Sequence, residues 1–244
     1  MVVWGFIIAG AVSVVVPFLF IPVGRPRVAE GEGMNDEETA TSYDRVSQWP
    51  LFLWIRRKVM KQLHKHNLDG ILIDIGCGPG HLAELIGKKY PSLAVTGVDI
   101  SHKMIEAACR KRDESAPVNV RFVVGDIHQL PFDDAEVDFV LSTLSLHHWR
   151  DASGALGEIH RVLKPGGQFL LMDLRRNAPF IFYVLLLAGE KFFAPRALRR
   201  QNGALSSFKA SYTPRELARL IEQVAFSRFS IKKEFGWMYV WGKK

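Results

Sequence analysis

Cysteine is nearly missing from this chain, with two among 244 residues. Cys77 sits in a glycine-rich stretch and Cys109 in a segment of helical periodicity, so no disulfide framework is expected and a reducing, cytosol-facing compartment fits. No cysteine or histidine spacing of a zinc site occurs, and no metal is expected. Basic motifs interleaved with aromatics are also missing. The formal charge of +7 and pI near 9.5 therefore point away from nucleic acid and toward an anionic membrane surface. No internal repeat or low-complexity tract is present, and the length suits one sizeable α/β domain with additions.

Charge is lacking altogether from Val2 to Gly24. At about 1.5 Å per residue a helix of that length reaches roughly 35 Å, enough for a hydrocarbon core of ~30 Å. Pro17 and Pro22 would kink or end it. Arg25 and Arg27 follow at once, which places the downstream chain on the cytoplasmic side. A cleaved signal peptide is the competing reading. It is opposed by the lack of Lys or Arg ahead of the apolar run and of a small-x-small site before Arg25. The expected organisation is a single-pass anchor over residues 1–24, a linker over 25–42 and one domain over 43–244.

What is present begins at Ile71. Ile71, Leu72, Ile73 and Ile75 suit a strand buried on both faces of a parallel sheet. Asp74 lies near its end, and Gly76, Gly78 and Gly80 follow at alternate positions, leaving backbone that a ligand can approach. His81 to Tyr90 reads as a helix whose N-terminal amides point at the turn. A dinucleotide fingerprint would need glycine at position 81, where histidine stands. Leu93–Val98 is a second strand ending at Asp99, an acid able to accept both hydroxyls of a ribose or to cap the helix starting near Ser101. Val120–Val124 is a third strand, followed by Gly125-Asp126-Ile127. Val137–Leu141 is a fourth, and Leu163-Lys164-Pro165-Gly166-Gly167 makes a turn before a fifth, Gln168–Met172. Thr213-Pro214-Arg215-Glu216 is a capping box opening a helix to about Phe226. Phe229–Glu234 and Trp237–Trp241 read as a late strand pair forming an antiparallel edge.

This ordered set, over Ile71 to Asp173, resembles the class I S-adenosylmethionine (SAM)-dependent methyltransferases, in their small-molecule branch with the quinone-ring enzymes. The resemblance implies a Rossmann-like seven-stranded, mostly parallel sheet with helices on both faces, here with one N-terminal transmembrane helix. It implies SAM as cofactor, held by Asp74, Gly76, Cys77, Gly78, Gly80, Asp99, Ile100, Asp126, Ile127 and Ser142. Asp126 would meet the adenine amino group and Ile127 pack on its ring. Tyr43, by the same analogy, would close over the sulfonium.

The region after the fourth strand, Ser142-Thr143-Leu144-Ser145-Leu146-His147-His148-Trp149, faces the methyl group in that fold. It lacks the Asn/Asp-Pro-Pro-Tyr motif of nucleobase methyltransferases. His147 and His148 are the candidates for a general base, since histidine titrates near neutrality; packing alone is the other reading of both. Leu51 to His66 reads as an amphipathic helix. Its Arg56, Arg57, Lys58, Lys61 and Lys65 either simply face solvent or lie against anionic lipid. Residues 178–210 form an insertion opening with the apolar run Ala178 to Gly189, twelve residues and too short to span a bilayer. It reads as a lid or interfacial segment, with Phe180, Phe182 and Tyr183 near the acceptor, or as a plain core helix. The expected acceptor is an apolar small molecule or lipid. A membrane-tethered scaffold that binds SAM without turnover is the alternative.

Overall fold

The computed structural model describes residues 19–22, 24, 26–29, 36–115, 117–201 and 203–244. Residues 1–18 and 23 of the expected anchor lie outside the described residues. Among the described residues no helix is long and apolar enough to cross a membrane.

Seven strands form one sheet: β1 (Ile71–Ile75), β2 (Ala94–Asp99), β3 (Val120–Val124), β4 (Val137–Thr143), β5 (Leu163–Leu174), β6 (Arg228–Lys233) and β7 (Trp237–Lys243), in the order β3-β2-β1-β4-β5-β7-β6. The first five run parallel, and β7 runs antiparallel to both β5 and β6. The late pair contributes the antiparallel edge expected from sequence, with β7 paired to β5 and β6 outermost. The strand order reverses between β1 and β4, and crevices at such a reversal take ligands at the carboxyl ends of the strands.

The helices are α1 (Glu37–Ser47), α2 (Pro50–Leu63), α3 (His81–Lys89), α4 (His102–Ser115), α5 (Ala152–Val162), α6 (Phe180–Phe192), α7 (Arg196–Gln201), α8 (Ala204–Ala210) and α9 (Pro214–Glu222), with a 3-10 turn at Leu146–His148. They cover both faces, because alternate strand residues feed two separate cores. Ile73, Ile75, Val140, Leu171 and Val240 pack with Leu156 and Ile159 of α5 and Leu217 and Ile221 of α9. Leu72, Leu141, Leu170, Met172 and Tyr239 pack with Val59 and Leu63 of α2, Ile86 of α3 and Ile105 of α4. Each fully buried aliphatic side chain contributes roughly 1.5–3 kcal/mol.

Two local expectations change. Helix α1 starts at Glu37, capped by Asp36, whose side chain accepts from the Thr39 amide at 2.8 Å. Residues 37–42, expected as linker, are therefore helical. The Lys164–Gly167 turn does not precede β5 but bulges within it, opposite Asp138. Gly166 at φ +81° makes that bulge possible. The capping box at Thr213 and Glu216 forms as expected.

Candidate active site

The three glycines after β1 all adopt left-handed φ, +70° at Gly76, +53° at Gly78 and +81° at Gly80. The amides of Gly76 and Cys77 both donate to the Val98 carbonyl, at 2.8 and 3.0 Å, which ties the loop to β2. A Cβ on Gly80 would meet the Phe122 ring at 2.5 Å, and one on Gly76 would strike Ser145. Gly78 differs: a Cβ there would have as nearest neighbour the Tyr43 ring at 3.5 Å. Gly80 thus serves packing, while Gly78 opens toward a cavity. That cavity encloses about 500 Å³ including its open mouth. Asp74, Gly76, Cys77, Gly78, Tyr43, Phe52, Arg56, Thr143 and Leu144 are among its lining residues.

Asp99 bridges the loop and the next helix. Its Oδ2 accepts from the Gly78 amide at 2.8 Å and its Oδ1 from the Ser101 amide at 2.9 Å. It does not itself cap α4, whose first-turn Met104 amide donates to Ser101 Oγ at 3.3 Å; each carboxylate oxygen keeps a lone pair for a further donor. Asp74 is 2% exposed, makes no hydrogen bond among the described residues, and is pushed up to about 8 by burial and by the charge of Asp99. The Cys77 thiol is raised well above its ordinary range by burial and both acids, so it packs and does not react as a thiolate. Gly97 lacks a side chain where one would meet Phe122 and the Cys77 sulfur.

Helices α1 and α2 cap the loop. The half-buried Tyr43 stands over Gly78, its phenol pushed up to about 12 by burial and the Asp99 charge. Beside it Asp44 Oδ1 accepts from His81 Nε2 at 2.8 Å and Lys111 Nζ at 2.5 Å, and Lys111 also donates to the Pro79 carbonyl at 2.9 Å. Burial alone would raise Asp44, but these two donors outweigh it and hold the carboxyl near 2. Arg56 does not face solvent or lipid with its basic neighbours on α2. It turns into the cavity, donating to the Ser47 carbonyl at 2.8 Å. Asp44, His81, Lys111 and Arg56 escaped sequence reading as site residues. Asp44 and His81 are 37 residues apart and Asp44 and Lys111 are 67 apart, and no local spacing announces such contacts.

The remaining candidates scatter. Ile100 is 42% exposed and does not line the cavity. Asp126 is engaged by His128, through its amide and Nδ1, and by Arg150. Ile127 is buried in the core cluster that also holds Ile75, Val98 and Val140. Ser142 is buried on the sheet face opposite the cavity, in register with Ile75 and Leu171. His147 is 2% exposed. Its amide and Nδ1 both engage Asp173, at 2.8 and 2.7 Å. His148 is pushed down to about 3 by burial and the His147 charge. Neither histidine lines the cavity.

Phe180, Phe182 and Tyr183 lie on α6, none of whose residues is buried. Phe182 packs near Phe208, Phe235 and Trp237, and Tyr183 near Phe180 and Phe208. A plain core helix is thereby excluded. The start of α6 meets the N-terminal segment: the Phe180 amide donates to the Ile21 carbonyl at 3.0 Å, and Pro22 bridges Pro179.

Residues 73–171 match a family described as "Methyltransferase domain". A demethylmenaquinone methyltransferase of Listeria monocytogenes is 30% identical over 207 residues, 78% of this chain and 85% of that protein. The chain spans a smaller share of other curated relatives, 28%, 49% and 62% of their lengths. Among solved structures, a protein of Methanococcus maripaludis described as a SAM-dependent methyltransferase superposes with TM-score 0.66 at 21% identity, over 89% of this chain and 97% of that one. A Haemonchus contortus phosphoethanolamine N-methyltransferase in complex with SAM gives TM-score 0.64 at 16% identity, over 86% and 57%. At such identities the likeness is one of fold.

Proposed function

The chain belongs to the class I SAM-dependent methyltransferases, and we propose that it transfers the methyl of SAM to an apolar, quinone-like small molecule at the cytoplasmic face of a membrane. The observation that carries this reading is Asp74, a buried carboxyl with no polar partner among the described residues, opening onto a cavity beside Gly78. A cationic ligand group there relieves both its desolvation and its repulsion from Asp99. Asp74 would hold the ammonium of SAM, Arg56 its carboxylate and Asp99 its ribose hydroxyls. SAM supplies a methyl already activated on a sulfonium. The chain's share is to orient the acceptor, exclude water and provide a route for any acceptor proton. The Asp44–His81–Lys111 clamp supports orientation by fixing Tyr43 over the loop.

The apolar acceptor is supported by the name of the Listeria relative and by the exposed apolar face of α6. The uncharged run Val2–Gly24 supports an anchor, with a linker and a domain over 43–244 behind it and the domain on the cytoplasmic side. Calorimetric titration with SAM, followed by transfer of labelled methyl into a quinone extract, tests the reading; a flat titration sinks it. The placement of both histidines away from the cavity favours a second reading, a SAM-binding scaffold without turnover. Binding without label transfer would select it.

A further inference from the structure

Among the described residues' buried polar atoms without a hydrogen-bond partner are Thr143 Oγ1, Trp237 Nε1 and Tyr239 Oη, which lie on one face near one end of the sheet. Thr143, Met172 and Tyr239 are in register across β4, β5 and β7. Side chains in register share a face, so Tyr239 points to the same side as Thr143, which lines the cavity. Trp237 follows on that face two residues before Tyr239. Its indole N–H approaches the phenol without completing a hydrogen bond. Leu144, next to Thr143 and also lining the cavity, holds φ +55°, unfavourable backbone for a leucine and of the kind that collects at functional sites.

The surroundings are apolar. Trp54 of α2 meets the Trp237 ring edge-on at 5.0 Å, and Phe182 of α6 also meets it edge-on at 6.4 Å. Tyr239 itself is 4% exposed. A buried phenol and indole left unmatched cost about 1–3 kcal/mol each, a cost that a bound oxygen removes. Indole N–H is a donor only and a phenol can donate, so the fitting atom is an acceptor such as a carbonyl or a phenolate oxygen.

We propose that Tyr239 and Trp237 form the polar end of the acceptor site, donating to one oxygen of a flat carbonyl- or phenol-bearing ring while Trp54 and Phe182 flank its hydrocarbon part. This rests on the methyltransferase reading above and adds the acceptor's chemistry to it. The two residues are positioning groups and take no part in moving the methyl.

The test is calorimetry of the full chain with S-adenosylhomocysteine first and 2-prenyl-1,4-naphthoquinone second. Wild type binds the quinone, Tyr239→Phe binds it about three- to tenfold more weakly, and both hold S-adenosylhomocysteine within twofold. Trp237→Phe gives the same pattern and stands in if the tyrosine variant does not fold. Quinone affinity equal in wild type and variants, or no quinone binding to wild type, overturns the proposal. Failure of S-adenosylhomocysteine to bind wild type instead overturns the methyltransferase reading, and the quinone titrations still decide the role of Tyr239.

Discussion

Between β1 and β2 the backbone is tied down residue by residue: two amides on Val98, one on Asp99, and three glycines in a conformation other residues avoid. Along α6 the reverse holds. No side chain is buried, and Leu185, Phe192 and Phe193 are 56%, 72% and 72% exposed. The first region has one arrangement, enforced by short polar contacts. The second is apolar surface that tolerates change until something covers it. A transferase that keeps one donor molecule while the acceptor differs between relatives needs this division.

The sharpest way to break the comparison is at the glycines. Gly80→Ala adds left-handed strain of about 1–2 kcal/mol and a clash with Phe122 of roughly 1–3 kcal/mol. The melting midpoint should fall by about 5–15 °C. Gly78→Ala should cost only about 1–2 kcal/mol yet weaken SAM binding more than tenfold, because its methyl enters the cavity. Equal stability losses at the two positions would contradict the division between packing and ligand-facing glycine.

Asp74→Asn should act in opposite directions on stability and binding. The folded pKa of Asp74, about 8, lies above its unfolded value of about 3.9. The native protein then retains a proton that the unfolded chain releases, and stability falls as pH rises from about 4 to about 8. Removing the group should raise ligand-free stability at pH 7 by on the order of a few kcal/mol, with no difference near pH 4. SAM affinity should drop about tenfold or more as a charge-assisted bond is lost. Melting curves at both pH values and one titration check this. A lower midpoint at pH 7 would show that Asp74 has a partner in the folded chain.

The smallest effect is expected on α6. Leu185→Ser with Phe192→Ser should move the melting midpoint by no more than about 2 °C and leave SAM affinity unchanged. A larger loss would mean that this face is packed after all.

The cofactor half was legible because its signals are local. Asp74 and the glycines span seven residues, Asp99 ends the next strand, and the strand boundaries follow apolar runs. The cap was not legible, because Asp44, His81 and Lys111 meet only after α1 folds over the loop. Arg56 looked like one of five similar cations on an amphipathic helix, and only the seating of α2 turns it inward. That Ile127 is buried in the core cluster with Val98 and Val140 could not be read from its place after Asp126, because burial there depends on strands distant in sequence. The His147-His148 pair drew attention as titratable groups, but their setting depends on Asp173, 26 residues downstream.

The interior strand β7 comes from the end of the chain. Every cavity-lining residue lies at or before Leu144, whereas Trp237 and Tyr239 enter the sheet only when β7 slots between β5 and β6. During synthesis the residues that line the cavity have all been made roughly a hundred residues before β7. The strand that completes the sheet is thus among the last parts of the chain to be made.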